Sequence, residues 1–99
     1  MAYTLLIRDA AVADAKDAYW YYESKQPGLG ERFLEELLQR YFDISRHPEY
    51  FTFIDEQKII RDIRLKHFPY LVVYEIIGDT VVVYSVHNCY RNPDKRFGR

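Results

Sequence analysis

The sequence predicts a two-layer α+β fold in the element order β-α-α-β-β-β, with a helical hairpin packed on an antiparallel sheet. A change of pattern along the chain predicts this fold. Apolar residues recur at helical spacing as far as residue 46, whereas from residue 59 onwards they alternate or form continuous runs, as strands do. A short Pro-Gly connection joins the two helical segments, which makes them antiparallel neighbours.

The first strand and the first helix meet at a polar residue. Residues 3–8 favour a strand, and Asp9 follows them as a predicted helix N-cap. Helical spacing then continues to Ser24, and one stripe of this helix consists mostly of small residues, namely Ala11, Ala15, Ala18 and Tyr22. Small side chains permit a neighbouring helix to approach closely.

The second helix is predicted from Leu29 to Arg46. Gln26, Pro27 and Gly28 end the first helix before it, because proline lacks an amide donor and glycine frees the backbone. The second helix ends before Pro48, which disfavours helical geometry in the residue that precedes it. Its apolar positions step by four residues and form a broad face, made of Leu29, Phe33, Leu37 and Tyr41 with Leu34, Leu38 and Ile44 beside them.

Three strands are predicted after an aromatic linker, residues 50–53, that we expect to cover the core. Residues 59–67 alternate, which places Ile59, Ile63 and Leu65 on one face. Residues 70–77 are almost wholly apolar, as expected for a central strand, and residues 80–87 form the last strand.

The turn at Gly78-Asp79 sets the pairing of the last two strands, because glycine supplies the positive φ of a two-residue hairpin turn. Counting back from this turn places Tyr70 opposite His87. We expect His67 at the same end of the sheet and Arg91 in the loop that follows. Such a cluster could move protons and hold a phosphate. The alternative, which the sequence alone favours, is that these are ordinary residues at strand ends.

Composition and charge exclude several classes of protein. Apolar residues make up 48% of the 99-residue chain, so we expect one domain over residues 1–99 with its own core. No apolar run approaches the roughly 20 residues that a membrane span needs. The net charge of −1 disfavours a general nucleic-acid binder. The sequence shows no glycine-rich phosphate loop and no zinc-binding spacing, so we expect no metal and no cofactor.

The single cysteine, Cys89, cannot form an internal disulfide, which fits a reducing cytoplasm. We expect it to be a buried structural thiol. The N-terminus has no basic region followed by an apolar one, so a secretion signal is not expected.

Two regions are candidates for partner binding. Trp20 and Tyr21 lie outside the alanine stripe of the first helix, and exposed aromatic residues are typical of partner surfaces. Burial of Trp20 under the sheet or the linker is the alternative. Basic residues gather near the C-terminus, which indicates either an anion- or partner-binding end or a solvated terminus; they are Arg91, Lys95, Arg96 and Arg99.

Four segments together resemble the RelE/ParE superfamily of toxins from bacterial toxin–antitoxin systems, also called plasmid stabilization proteins. They are residues 14–22, 30–38, 61–76 and 82–94, so the likeness covers nearly the whole chain. Its most specific parts resemble an F-P-Y-x-x-x-Y strand and an H-x-x-x-R-x-P ending, at Phe68, Pro69, Tyr70 and Tyr74 and at His87, Arg91 and Pro93. The resemblance implies a cytoplasmic toxin that a small antitoxin protein neutralises.

The resemblance implies one of two activities. RelE-like members are ribosome-dependent endoribonucleases, which use Arg and Lys side chains with Tyr or His to cleave mRNA through attack of the 2′-OH on the adjacent phosphate. ParE-like members inhibit DNA gyrase and have no hydrolytic site. Here Leu71 and Cys89 stand where the nuclease branch carries catalytic arginines, and Lys95 or Phe97 stands near the place of its terminal tyrosine.

We therefore predict the ParE-like branch, a toxin that acts on a protein target such as gyrase and is not an enzyme. Its predicted partner-binding residues are Trp20, Tyr21, Arg91, Lys95 and Arg96. The alternative is a nuclease acting on ribosome-bound mRNA, for which the retained catalytic candidates are Arg64, Lys66, His87 and Arg91. A second alternative is a degenerate member that serves only as a protein-interaction module.

Overall fold

The computed structural model describes residues 3–90 and shows two helices packed on a four-stranded sheet. The predicted α+β order is confirmed. The elements are β1 (Thr4–Ile7), α1 (Asp9–Lys25), α2 (Leu29–Arg46), a 3-10 turn (Pro48–Tyr50), β2 (Ile60–Arg64), β3 (Tyr70–Ile77) and β4 (Thr80–Asn88). No helix within residues 3–90 combines the length and the apolar character that crossing a bilayer requires.

The strands lie in the order β1-β4-β3-β2. The pairs β2–β3 and β3–β4 are antiparallel, as predicted, whereas β1 is parallel to β4 and makes the sheet mixed. The amide of Thr4 donates to the carbonyl of Asp79 at 2.9 Å, so β1 begins beside the turn from which β4 starts. Both strands then run in the same direction.

A β-bulge in β4 changes the predicted pairing of the last two strands. Ile77 lies opposite Thr80, as counting from the turn requires, but Tyr84 is an extra residue without a Cα partner in β3. Beyond it the register is offset by one, because a bulge places two residues opposite one. The prediction that Tyr70 faces His87 is therefore wrong: Tyr70 pairs with Asn88.

Three predicted details at the ends of elements are also wrong, and the first is that β2 ends at Arg64 and not at residue 67. Asp9 is the first residue of α1 and not its cap, because the carbonyl of Arg8 already accepts the amides of Ala11 and Val12. The carboxylate of Asp9, in the first turn of α1, still interacts favourably with the positive end of the helix dipole. Ile59 is 40% exposed, since β2 begins only at Ile60.

The aromatic linker covers less of the core than predicted. Phe51 packs against the main core, whereas Tyr50 is 81% exposed. The guanidinium of Arg61 stacks on the ring of Phe53 at 3.9 Å from its centroid and donates to the carbonyl of Phe51 at 2.6 Å. These two contacts of Arg61 hold the linker against β2.

The main core lies between the helices and the sheet. The predicted stripes supply it, with Ala11 and Ala18 of α1 fully or almost fully buried. At its centre Tyr74 has no exposed surface, and its hydroxyl donates to the carbonyl of Pro48 at 2.7 Å. Burial raises the pKa of this hydroxyl, so it remains a donor over the physiological range.

Asp14 of α1 completes the hydrogen bonding of β4. β1 pairs only with the residues of β4 from Thr80 to Val83. Farther along β4, the carboxylate of Asp14 accepts the amide of Val86 at 3.0 Å. A side chain of the covering helix therefore bonds the sheet where the neighbouring strand has ended.

The connection between the helices is closed by two contacts. The carboxylate of Glu23 accepts the amides of Gly28 and Gly30 at 3.0–3.1 Å and so caps α2 from the end of α1. Gly30 lies against Tyr19: a Cβ at this position would come within 2.7 Å of the Tyr19 carbonyl oxygen. The two helices can approach this closely only because residue 30 is glycine.

We expect Gly30→Ala to destabilise the fold by about 1–3 kcal/mol, because the added methyl forces the two helix backbones apart. Helix propensity alone predicts the opposite sign, since alanine is the better helix former by about 1 kcal/mol. Urea unfolding of the purified chain measures the difference.

Glu35→Ala, at an exposed position of the same helix, is the matched control and should change stability by less than about 0.5 kcal/mol. A Gly30→Ala chain as stable as the unmodified one would contradict the close contact at Tyr19.

Candidate functional site

An apolar groove of about 420 Å³ runs between α1 and α2. Apolar and aromatic side chains of both helices line it, together with Ile7 of β1. The two helices contribute Val12, Ala15, Tyr19, Trp20, Leu34, Leu37, Leu38 and Tyr41 to this lining. A groove between helices with such a lining is typical of a site for the apolar side of an amphipathic partner.

Trp20 and Tyr21, the predicted partner surface, are both exposed. Trp20 is 63% exposed and lines the groove, with its ring edge-on to that of Tyr19 at 4.9 Å between centroids. Tyr21 is 43% exposed and lies outside the lining, where the ammonium of Lys25 is 5.1 Å from its ring centroid. The alternative of a covered Trp20 is therefore wrong.

The groove combines an apolar surface with one side chain of each charge. Lys16 of α1 and Glu31 of α2 are exposed residues of its lining. Tyr41 is buried in the lining, and this burial, with a smaller effect of the negative charge of Asp14, raises the pKa of Tyr41 to about 12. The Tyr41 hydroxyl is therefore neutral at physiological pH.

The apolar pattern of α2 predicts Leu38 on the core face, but its side chain is 62% exposed. Phe42, one turn farther along α2, is 53% exposed. Together with Leu34 these residues step by four positions beside the buried stripe, which gives α2 a second apolar stripe. A helix needs only one apolar stripe to pack on a sheet, so a second stripe indicates an apolar surface that the fold itself does not cover. This second stripe in the sequence of α2 could have predicted the groove.

Two of the nuclease candidates lie in one row across the sheet. Arg64 of β2 and His87 of β4 are each paired with Leu71 of β3, which separates them. Neighbouring strands are about 4.8 Å apart, so the two Cα atoms are roughly 10 Å apart. The flanking pair Val72 and Val86 points into the helix-covered core, so this row faces the opposite side of the sheet.

Cys89 lies at the same end of the sheet and is half-buried, so it is less enclosed than the buried thiol that we expected. Its amide donates to the carbonyl of Pro69 at 2.7 Å, and the Nη1 of Arg64 lies 3.4 Å from its Sγ. One donor of Arg64 is thus directed at sulfur.

The candidate cluster of His67, Tyr70 and His87 does not form, in agreement with the favoured alternative of ordinary residues at strand ends. Tyr70 points into the helix-covered core, where its ring lies 5.1 Å from that of Phe33, whereas His87 is on the opposite face. His67 is bound to α2 instead. The bulge at Tyr84 and the alternation of side chains together place the two predicted partners on different faces.

The remaining predicted site residues lie outside the row of Arg64, Leu71 and His87 or outside the described part of the chain. Lys66 is exposed in the connection between β2 and β3. The predicted residues Arg91, Lys95 and Arg96 lie outside the described residues. Over the range 3–90, no group of three His, Cys, Asp or Glu side chains is arranged to hold a metal ion.

Glu36 of α2 fixes the turn between β2 and β3. Its carboxylate accepts the backbone amide of His67 at 2.6 Å and lies 2.8 Å from the Nδ1 of the same residue. Burial alone would raise the pKa of Glu36, but the His67 amide and ring and the Lys66 backbone outweigh it and hold this pKa below its usual value. The 31-residue separation left no signal of this pair in the sequence.

Comparison with known families and structures identifies relatives of this fold. The family model described as the ParE toxin of the type II toxin-antitoxin system, parDE, matches residues 5–92. No curated protein sequence matches the chain.

Three solved structures share the fold at low sequence identity. The chromosomal ParDE toxin–antitoxin system from P. aeruginosa gives a TM-score of 0.77 at 13% identity, over 88% of this chain and 96% of that chain. An arginine-to-alanine double mutant of the E. coli toxin RelE in the free state gives 0.67 at 19% identity, over 94% and 90%. The toxin–antitoxin complex RelBE2 from Mycobacterium tuberculosis gives 0.61 at 22% identity, over 89% and 99%.

We expect Glu36→Gln to lower stability above pH 4.5, the usual pKa of this carboxyl, and to matter progressively less as the pH falls below that value. The sign follows from the lowered pKa: the ionised carboxylate favours the folded state, so its contribution is lost when the group is protonated. Urea unfolding over a series of pH values measures the effect. Glu35→Gln is the control, and a Glu36→Gln effect that is independent of pH would contradict the pairing with His67.

Proposed function

The chain belongs to the ParE toxin family of type II toxin-antitoxin systems, and on that basis we propose that it acts on a protein target such as DNA gyrase and that a cognate antitoxin protein neutralises it. We further propose that it works in the cytoplasm as a single domain, without a cofactor. The target and the antitoxin are the parts of this proposal that experiments must establish.

The position of Leu71 supports a protein target over mRNA cleavage. Cleavage by a RelE-like site needs cationic side chains around the reacting phosphate, because charge accumulates there in the transition state. Here the residue between Arg64 and His87 is apolar, and one Arg64 donor is directed at Cys89. The row of Arg64, Leu71 and His87 therefore offers a phosphate the exposed guanidinium of Arg64, but Leu71 supplies no second cation beside it.

The groove between α1 and α2 supports an antitoxin partner. An antitoxin segment that folds on binding loses conformational entropy, and a preformed apolar groove offsets that loss. Trp20 supplies a large exposed aromatic anchor there, and the exposed stripe of α2 extends the apolar surface. An amphipathic helix with an acidic residue near Lys16 and a basic residue near Glu31 fits this lining.

Other predicted partner residues complete the proposal. Tyr21 is exposed next to Trp20 in α1 and extends the aromatic surface beyond the groove. The basic residues near the C-terminus remain candidates for contact with an acidic segment of a partner; they are Arg91, Lys95 and Arg96.

A RelE-like nuclease is the second candidate function. Arg64 and His87 share one face of the sheet, and the fold is also similar to that of the E. coli toxin RelE. In that case Arg64, Lys66 and Arg91 would bind phosphate and His87 would transfer a proton. A chain with neither activity would be an interaction module.

We expect Trp20→Ala to weaken binding of the cognate antitoxin, for which the protein encoded by the reading frame next to this gene is the candidate, at least about tenfold, or about 1.4 kcal/mol. The substitution removes an exposed aromatic anchor of the groove. Isothermal titration calorimetry with the two purified proteins measures the affinity. Ile77→Ala is the matched control, because Ile77 is 53% exposed and lies outside the groove. Equal losses for both variants, or none for Trp20→Ala, would place the antitoxin elsewhere.

Expression of the chain alone should arrest growth with gyrase-dependent DNA damage and intact transcripts, and Arg64→Ala should arrest growth equally well. Removing one charged donor from a nuclease site typically costs about 10²–10³ in rate, so this variant separates the two functions. Supercoiling of a reporter plasmid and mapping of transcript ends in the same culture provide the readouts.

Arg32→Ala, at an exposed arginine of α2, is the control for loss of charge. Codon-position cuts in mRNA that disappear in Arg64→Ala or His87→Ala would establish the nuclease instead. The absence of both effects would leave the interaction module.

A further inference from the structure

A second cleft lies between the end of α2 and the β3–β4 turn and shares no lining residue with the groove. Its volume is about 770 Å³, and its lining comes from the start of β1, the end of α2, the 3-10 turn and the Gly78-Asp79 turn. The cleft therefore belongs to a different part of the surface from Trp20.

Tyr50 stands at this cleft and is 81% exposed, more than any other large hydrophobic side chain of residues 3–90. Exposure of one tyrosine is ordinary and by itself indicates no function. What distinguishes Tyr50 is its support. Its ring meets only that of Phe51 among the aromatic contacts, edge-on at 5.2 Å between centroids.

The backbone on both sides of Tyr50 is held by hydrogen bonds from other elements. The hydroxyl of Tyr74 donates to the Pro48 carbonyl at 2.7 Å, from a side chain with no exposed surface. Arg61 donates to the Glu49 carbonyl at 3.0 Å and to the Phe51 carbonyl at 2.6 Å. Each carbonyl that flanks Tyr50 along the chain is therefore fixed to the sheet.

The cleft wall is fixed in the same way. The hydroxyl of Tyr3 donates to the Glu49 carboxylate at 3.0 Å, which ties the 3-10 turn to the start of β1. The amide of Tyr50 donates to the carbonyl of His47 at 3.1 Å. The backbone that carries this aromatic side chain is already ordered, so only the side chain itself loses freedom on binding, which suits an interface anchor.

The charges around the cleft select the kind of partner. Arg46 and His47 lie on one side of the 3-10 turn, and Glu49 and Asp79 bring two carboxylates to the same lining. With the guanidinium of Arg46 and the carboxylates of Glu49 and Asp79 the lining carries both signs of charge, which suits a protein surface better than the uniformly negative backbone of a nucleic acid. The lining therefore fits a protein segment with an apolar slot for the tyrosine ring.

We propose that this cleft, with Tyr50 as its anchor, docks the protein target of the toxin and that it is separate from the groove proposed for the antitoxin. This inference rests on the proposed function, because it assigns a surface to the target assumed there. It predicts that binding to the target and binding to the antitoxin can be removed independently.

The test compares Tyr50→Ala with Tyr90→Ala, because Tyr90 is 80% exposed at the other end of β4 and so is a matched control. Growth arrest on expression, binding of purified gyrase and binding of the protein from the adjacent reading frame are measured for each. We expect Tyr50→Ala to abolish arrest and to weaken gyrase binding at least about tenfold. Its affinity for the antitoxin should not change, and Tyr90→Ala should behave as the unmodified chain.

Two further variants guard against a folding artefact. Asp79→Lys reverses one charge of the lining and should weaken the same two readouts, whereas Tyr50→Phe keeps the ring and should retain most of the activity. Unfolding midpoints equal to that of the unmodified chain establish that the variants fold.

The possible failures give different patterns. If the unmodified chain does not arrest growth, the proposed function fails and the inference fails with it. If the chain arrests growth and folded Tyr50→Ala does so equally, the inference alone is wrong. Loss of antitoxin binding in Tyr50→Ala would make the cleft part of the antitoxin site, and loss of transcript cleavage would make it an RNA site; either outcome overturns the inference. If the unmodified chain arrests growth without binding gyrase, the target is a different protein. Loss of growth arrest in folded Tyr50→Ala then still supports the cleft as the docking site, and retained arrest contradicts it.

Discussion

The close contact of α1 and α2 at their connection is the constraint on which the rest of the structure depends. Gly30 lets the backbone of α2 lie against the carbonyl and ring of Tyr19, and Glu23 supplies the cap that the glycine-containing connection lacks. The hairpin that results presents the alanine stripe of α1 to β4. It also sets the distance between the two helix walls, and hence the shape of the groove.

Local signals in the sequence predicted the helices well. The limits of α2 were predicted correctly at Leu29 and Arg46, because Gly28 and Pro48 act on the backbone of their immediate neighbours. The signal that predicted the turn at Gly78 was equally local, and Ile77 pairs with Thr80 as predicted. In these places the conformation is determined within a few residues.

Features that depend on residues far apart in the chain could not be predicted. Tyr84 looks like any other apolar residue of its strand, yet it forms the bulge that offsets every later pair of β3 and β4. For the candidate site, the helix face of Trp20 left both exposure and burial open, and the separation of His67, Tyr70 and His87 depended on that bulge and on Glu36. Only the folded chain brings Glu36 into contact with His67.

The bond from Val86 to Asp14 has a consequence for how the molecule behaves in concentrated solution. A strand edge with open amides and carbonyls invites the backbone of another molecule, and such pairing leads to strand exchange and aggregation. At Val86 the amide already has an acceptor, so an incoming strand gains no bond there and must enclose a carboxylate. A single acidic residue on a covering helix therefore protects the part of β4 that β1 is too short to reach.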